Sequence, residues 1–420
     1  MNRSPAPFNR QARGDLHDLQ NYFMCEQTTY DAIVISAGVI GAATAYYLQR
    51  LGNHRVLVVD RGPVCGGGTA KSCAIIRSHY SIPGNTQLTL KSLGIFADFA
   101  NALEDAEAQS GFVNSGYLIL AAPGKWADGL RDNPAMQSGV GAETRAIDMS
   151  QARELHPGLN LDDVEIVGYE PNSGYADPYL TTSGFLSAAR KRGVTVKTET
   201  PVQALARNGD RITGVRTPAG DFSAATVVSA IGPWSHGLLG PLAYDLQLEV
   251  SRHIVLTFEG DTPYAPQTPV VKDLTTANKM YFRPATGGVV LVGTGDHGDS
   301  VTGPDALDEI VSDDFVVLQG TQITQRMPEF STARLTASWI GAYDVTPDWN
   351  PVLGSLPGLD GLHVAYGFSG HGFKLAPAIG YCLAQLILGE QPDVPLHPYR
   401  WSRFDDNELL QGRYGIGSIS

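Results

Sequence analysis

The chain has only four cysteines in 420 residues, Cys25, Cys65, Cys73 and Cys382, and no two stand at C-x-x-C spacing. That spacing pattern excludes a cysteine-built metal or dithiol site and fits a reduced, cytoplasmic setting. No apolar run is long enough for a membrane-spanning helix, and the N-terminus lacks the apolar core of a signal peptide. Cations are also short: 30 Lys and Arg against 43 Asp and Glu leave a formal net charge of -13. A nucleic-acid partner, whose phosphates demand clustered Lys and Arg, is therefore not expected. With 43% apolar and 17% charged residues, the composition is that of an ordinary globular enzyme, long enough for two domains and a sizeable core. Residues 1 to 28 are polar and aperiodic, the composition of a disordered extension in which Met24 offers an alternative start.

What is present begins at Tyr30. From there to Asp60 the residues parse as strand, tight turn, helix and strand. Ala32 to Ile35 is an apolar run of the kind buried on both faces of a parallel sheet, and Val56 to Val59 is a second. Between them a helix is expected from Val39 to Arg50, opened by Gly38 and Gly41 and ended by Gly52 and Asn53. A helix N-terminus opened by glycine lets backbone N–H groups approach a pyrophosphate closely. Asp60 lies 22 positions beyond Gly38, about where a ribose-binding carboxylate belongs, and its charge disfavours a 2′-phosphate. The implied ligand is FAD or NAD rather than NADP. The turn departs from G-x-G-x-x-G: it reads Ser36-Ala37-Gly38-Val39-Ile40-Gly41, with serine where the tight turn asks for glycine.

Beyond Asp60, the glycine-rich run Gly66-Gly67-Gly68 is a loop suited to wrapping a cofactor, leading into a segment able to wind into a short helix. Amphipathic spacing predicts a helix over Asn85 to Ala108, alternation a strand over Phe112 to Ala121, and Gly and Pro an irregular excursion over Pro123 to Ala142. Short helices are read at Met149 to His156 and Leu180 to Arg192, the second started by Asp177-Pro178. Strands follow at Val194 to Val196, Pro201 to Ala206, Arg211 to Thr217 and Asp221 to Ser229. Then Gln247 to Phe258, Lys279 to Arg283 and Gly288 to Gly293 run without intervening helices, which suggests an antiparallel sheet. A helix at Asp305 to Arg326, strands at Leu335 to Gly341 and Gly361 to Tyr366, and a closing helix at Lys374 to Leu388 complete the reading.

Three stretches together resemble the FAD-dependent amine and amino-acid oxidoreductases of the D-amino-acid oxidase superfamily, nearest the sarcosine oxidase and dimethylglycine dehydrogenase branch. They are Ile35 to Gly41, Gly68 to Arg77 and, most specifically, Gly367-Phe368-Ser369-Gly370-His371-Gly372-Phe373-Lys374. The resemblance implies an α/β fold: a Rossmann-like FAD-binding domain with a discontinuous, mainly antiparallel β-sheet substrate domain. Residues 29–110, 150–240 and 335–395 would form the first, 111–149 and 241–334 the second, and 396–420 a C-terminal tail. It implies that Gly370, His371, Gly372, Phe373 and Lys374 cover the isoalloxazine ring. Arg77 and Lys374 match the pair that grips a substrate carboxylate, while Tyr281 or Arg283 would touch the substrate from a facing strand. Ser36, Gly38, Val39, Ile40, Gly41, Asp60, Arg61, Thr69, Ser72 and Cys73 would meet the cofactor along the opening crossover and its loop. Val202 matches a backbone contact to adenine, and Ala230, Gly232 and Trp234 a turn beneath the cofactor.

Two departures carry weight. The position that matches the family's flavin-attaching cysteine is Gly341, and Lys71 stands where other members have a histidine, so FAD is expected to be non-covalent. Leu291 aligns with the lysine that helps oxygen react, which leaves a dehydrogenase with another electron acceptor open. The expected activity is hydride transfer from a small carboxylate-bearing amine, N-methyl or secondary amino acids first and D-amino acids behind. A hydroxy acid or glycerol phosphate as substrate, or a non-catalytic flavin-binding subunit, is compatible with the same residues. No metal site is expected, and the oligomeric state is not legible.

Overall fold

A computed structural model describes residues 28–296, 298–413 and 415. Apart from Thr28, the expected N-terminal extension, Met24 included, lies outside the described residues.

The opening strand Thr29–Ile35 is apolar because it lies inside a sheet. It pairs in parallel with Gly220–Ser229 on one side and Val56–Val59 on the other, in an eight-stranded sheet that Thr195–Lys197 and Leu362–Tyr366 extend in parallel. Ala32 and Val34 face the helices Val39–Gly52, Pro178–Lys191 and Gly372–Ile387; Ile33 and Ile35 face an apolar layer with Leu239 and Leu246. The first helix ends where expected: Asn53 takes the left-handed conformation at φ 50° and caps it. Segments far apart in the sequence meet here. A Cβ on Gly380 of the closing helix would stand 2.6 Å from the Cβ of Ala43, so glycine is what allows that helix to lie against the first.

The second sheet has nine strands and is antiparallel except where Tyr117–Ala121 runs parallel to Val270–Asp273. One face packs Leu118, Val271, Phe282 and Val292 against Ile323 and Met327 at the helix Asp313–Arg326. The other face turns Tyr117, Lys272 and Tyr281 toward the cavity that the opening turn also lines.

Several boundaries differ from those expected. Lys125–Gly139 is a helix, not an irregular excursion: its buried stripe is made by Ala127, Leu130, Asn133 and Gln137, and the two amides hide the periodicity. The helix expected over Asn85 to Ala108 is two, Pro83–Ala97 and Phe99–Ala102, broken where Asp98 turns to φ −136° and ψ 57°. The later helix starts at Asp313, capped by the Ser312 hydroxyl, rather than at Asp305. Ile166–Glu170 and Arg334–Val345 pair within the nine-stranded sheet, although they lie in segments allotted to the nucleotide-binding domain.

Candidate active site

The opening turn is built to bring backbone close to a ligand. Ser36 leaves the strand at φ 136°, and its hydroxyl accepts a hydrogen bond from the Gly38 N–H at 2.9 Å. A Cβ on Gly41 would lie 2.1 Å from the Ser36 carbonyl oxygen, and one on Gly38 3.0 Å from the Ser36 hydroxyl and 3.1 Å from that of Thr69. Gly41 therefore has to be glycine, and a side chain at Gly38 would press on both hydroxyls. Asp60 ties the turn down: its carboxylate accepts from the N–H of Ala37 at 2.6 Å and of Gly62 at 2.9 Å. The Thr69 hydroxyl accepts from the Val39 N–H at 3.2 Å, so the glycine-rich loop folds back onto the helix N-terminus.

From this turn a cavity of about 560 Å³ runs past Thr69, Val202 and Gly232 to Gly370 and Lys374. Of the residues expected at the cofactor, Ser36, Gly38, Val39, Ile40, Asp60, Arg61, Thr69, Ser72, Cys73, Val202, Ala230, Gly232, Trp234, Gly341, Gly370, His371, Gly372, Phe373 and Lys374 line it. Gly41 sits behind the lining, where it allows the helix to approach the strand. The opening turn and the histidine turn thus share one cavity. A glycine-lined cradle at a helix N-terminus, followed by a long cleft, is what a dinucleotide requires, so the residues fit FAD.

At the far end the histidine turn depends on Gly370, at φ 82°, where a Cβ would meet the Tyr343 ring at 2.5 Å. His371 is buried edge-on to Tyr80, and burial together with the Lys374 charge keeps its imidazole neutral, well below its ordinary pKa. Lys374 is 7% exposed, and burial followed by the neighbouring Arg77 charge weakens its hold on its proton. Arg77 is also buried, donates to the His79 carbonyl at 2.6 Å and lies 4.6 Å over the Tyr80 ring. The loop carrying it is anchored by Glu170, which accepts from the Ser78 N–H at 2.8 Å and the Ser173 hydroxyl at 2.6 Å. Tyr281 lines the cavity with its hydroxyl 3.1 Å from the Cys73 sulfur, and burial raises the pKa of both groups.

Arg283 is not part of the lining. Its guanidinium donates to the carbonyls of Cys73 and Pro284 and stacks 4.6 Å from Tyr175, so it holds the loop to the sheet instead of facing the cavity. Leu291 is buried and likewise outside the lining. Sequence reading missed Lys272, Tyr117 and Tyr343, which do line it. The signal for Lys272 was a lone cation after two valines in Val270-Val271-Lys272-Asp273. Burial and then the Arg77 charge bring its ammonium down to about 7. Among the described residues no helix is long and apolar enough to cross a membrane.

Cradle and cleft define a dinucleotide-binding protein. The chain belongs to the DAO family, described as FAD dependent oxidoreductase, whose model matches residues 31–386. It is 29% identical to FAD-dependent oxidoreductase domain-containing protein 1 of Bos taurus, over 91% of this chain and 86% of that protein. It is 26% identical to the sarcosine oxidase subunit beta of an Arthrobacter species, over 93% of this chain and 95% of that one. Among solved structures, L-proline dehydrogenase from P. horikoshii superposes with a TM-score of 0.84 at 24% identity, covering 91% of this chain and all of the other. That likeness establishes the fold. FAD is accordingly the cofactor, and the substrate is a separate question.

Proposed function

We propose that the chain oxidises a small amine that carries a carboxylate, with N-methyl and other secondary amino acids as the first class and D-amino acids as the second. The observation that carries this reading is that two buried cations, Arg77 and Lys374, line the same cavity as the nucleotide cradle. Burying cations is costly unless an anion joins them, and a guanidinium fork beside an ammonium suits a carboxylate. Lys374 has no ion pair among the described residues, and a carboxylate beside it would restore the hold on its proton that burial and Arg77 weaken.

FAD, when bound, supplies the two-electron acceptor: removal of a hydride from the carbon beside the amine nitrogen leaves an imine, which water hydrolyses. The chain's part is to hold and orient. Arg77 and Lys374 fix the carboxylate and so restrict the carbon to one position, which is where positioning accelerates a reaction. Tyr117, Tyr281 and Tyr343 wall the pocket and limit water. His371 stays neutral through burial and adds no competing charge.

FAD is held without a covalent bond in this reading, with Gly341 and Lys71 where a cysteine or histidine attachment would stand. With Leu291 where the family's oxygen-activating lysine would stand, an electron acceptor other than oxygen is favoured. The test is anaerobic addition of N-methylglycine, proline, D-alanine, lactate and glycerol phosphate to the purified protein. Loss of the visible flavin absorption with an amine and not with the hydroxy compounds is expected. Bleaching only by lactate or glycerol phosphate would overturn the amine reading, and a colourless protein would point to a chain that does no flavin chemistry.

A further inference from the structure

The pocket holds a third cation that one carboxylate does not answer. Lys272 stands directly opposite Tyr281 in the register of the second sheet, is 6% exposed, and lines the same cavity as Arg77 and Lys374. Its ammonium lies 5.2 Å from the centre of the Tyr281 ring and donates to the Lys279 carbonyl at 2.8 Å. An ammonium has three N–H donors, so two remain for a ligand. The wall is shaped around this group: a Cβ on Gly295 would fall 1.9 Å from the nitrogen. No carboxylate among the described residues forms an ion pair with it. Asp273, next to it on the strand, points to the opposite face, where it binds Arg326 at 2.8 Å and Thr275 at 2.7 Å. Asp296, which lines the same cavity, raises the proton affinity of Lys272 through its charge but forms no ion pair with it.

We propose that the substrate amine carries a second carboxylate, bound by the Lys272 ammonium while Arg77 and Lys374 hold the first, so that amino diacids are preferred over amino monoacids. This rests on the amine reading of the site given above. The Arg77 charge lowers the proton affinity of both Lys272 and Lys374, and a single carboxylate held by Arg77 and Lys374 leaves Lys272 without a carboxylate partner of its own. A second carboxylate supplies that partner. The lowered proton affinity of Lys272 reports the same crowding, since burial and Arg77 are its leading causes.

The experiment compares iminodiacetate with N-methylglycine, and N-methylaspartate with N-methylalanine, by anaerobic flavin bleaching and steady-state rates on the holoprotein. The wild-type protein is expected to favour the diacid of each pair in kcat/KM. Lys272→Met is expected to reduce that preference about ten- to a hundredfold, the worth of a charge-assisted hydrogen bond. Gly295→Ala, which displaces the ammonium and keeps its charge, should move the preference the same way. Should Lys272→Met fail to fold, Gly295→Ala decides, together with the affinities of glutarate and butyrate for the wild-type protein read from the flavin spectrum. Equal affinities, or a preference unchanged in a folded variant, overturn the proposal, including the case where Lys272 serves as a base and both substrates slow alike. If monoacids bleach the flavin and diacids do not, this inference alone falls. If no amine of either kind does so, the amine reading falls with it.

Discussion

The Ser36 hydroxyl accepts the Gly38 N–H at 2.9 Å while Ser36 itself is held at φ 136°, a conformation that costs a side chain about 1–3 kcal/mol. The hydrogen bond and the strain act in opposite directions, and two substitutions separate them. Both Ser36→Ala and Ser36→Gly lose the hydroxyl, but only glycine is relaxed at this φ. The glycine variant is expected to be more stable than the alanine variant by about 1–3 kcal/mol in urea unfolding. Equal stabilities would show that the turn relaxes around a Cβ.

Asp305 holds Arg61 and Trp234 together at the cavity wall. One of its oxygens accepts from Arg61 at 2.9 Å and from the Trp234 indole at 2.8 Å, with the Arg61 guanidinium 4.5 Å over the Trp234 ring. Arg61 and Asp305 are both more than half exposed, so solvent screens the pair and its worth to stability is about 1 kcal/mol or less. Asp305→Ala is therefore expected to leave the melting temperature nearly unchanged and to speed FAD release about two- to fivefold at low salt, with the difference shrinking at high salt. Stopped-flow release of FAD measures both.

Glu170 supports the loop that carries Arg77 without lining the cavity. Its carboxylate satisfies the buried Ser78 N–H beside Arg77, so Glu170→Ala strands that donor, at a cost of about 2–4 kcal/mol with the lost volume included. Affinity for carboxylate ligands should fall as Arg77 loosens. Glu170→Gln keeps an acceptor and is expected to recover most of both quantities, read by urea unfolding and ligand titration of the flavin spectrum.

His156 makes stability depend on pH. It is buried against Tyr264 and Phe282 and bonded to the Tyr264 hydroxyl at 2.7 Å, and burial lowers its pKa to about 4. Because the folded value lies below the unfolded one, the neutral form is the one that folds. Its contribution is whole above about pH 6.5 and is lost as pH falls toward 4, up to about 3 kcal/mol. His156→Gln should flatten that part of the stability profile measured by urea unfolding between pH 7 and pH 4.

The opening crossover was legible because its two signals are local: buried parallel strands have no polar alternation, and the glycines lie within a few residues of each other. Gly370 to Lys374 was legible only through resemblance, since nothing in that stretch says what it faces until the closing helix packs on the first. Lys125–Gly139 was missed because Asn133 and Gln137 fill an inward stripe that a hydrophobic pattern does not register; Gln137 is inside because it bonds the Tyr80 carbonyl at 2.9 Å. Arg283 and Lys272 show the limit most clearly. Both are cations on neighbouring strands, yet backbone carbonyls of Cys73 and Pro284 draw one away while the gap at Gly295 admits the other to the cavity. Neither carbonyl nor gap can be read from a strand's own residues.

One cavity is proposed to hold both the dinucleotide and a carboxylate. A crystal structure of the protein with FAD and an unreactive carboxylate analogue of the substrate tests that most directly. The account predicts pyrophosphate at Gly38 and Val39, the flavin ring beneath Gly370 and His371, and the analogue's carboxylate within hydrogen-bond distance of both Arg77 and Lys374. A carboxylate bound elsewhere, or FAD lying outside this cavity, would contradict it.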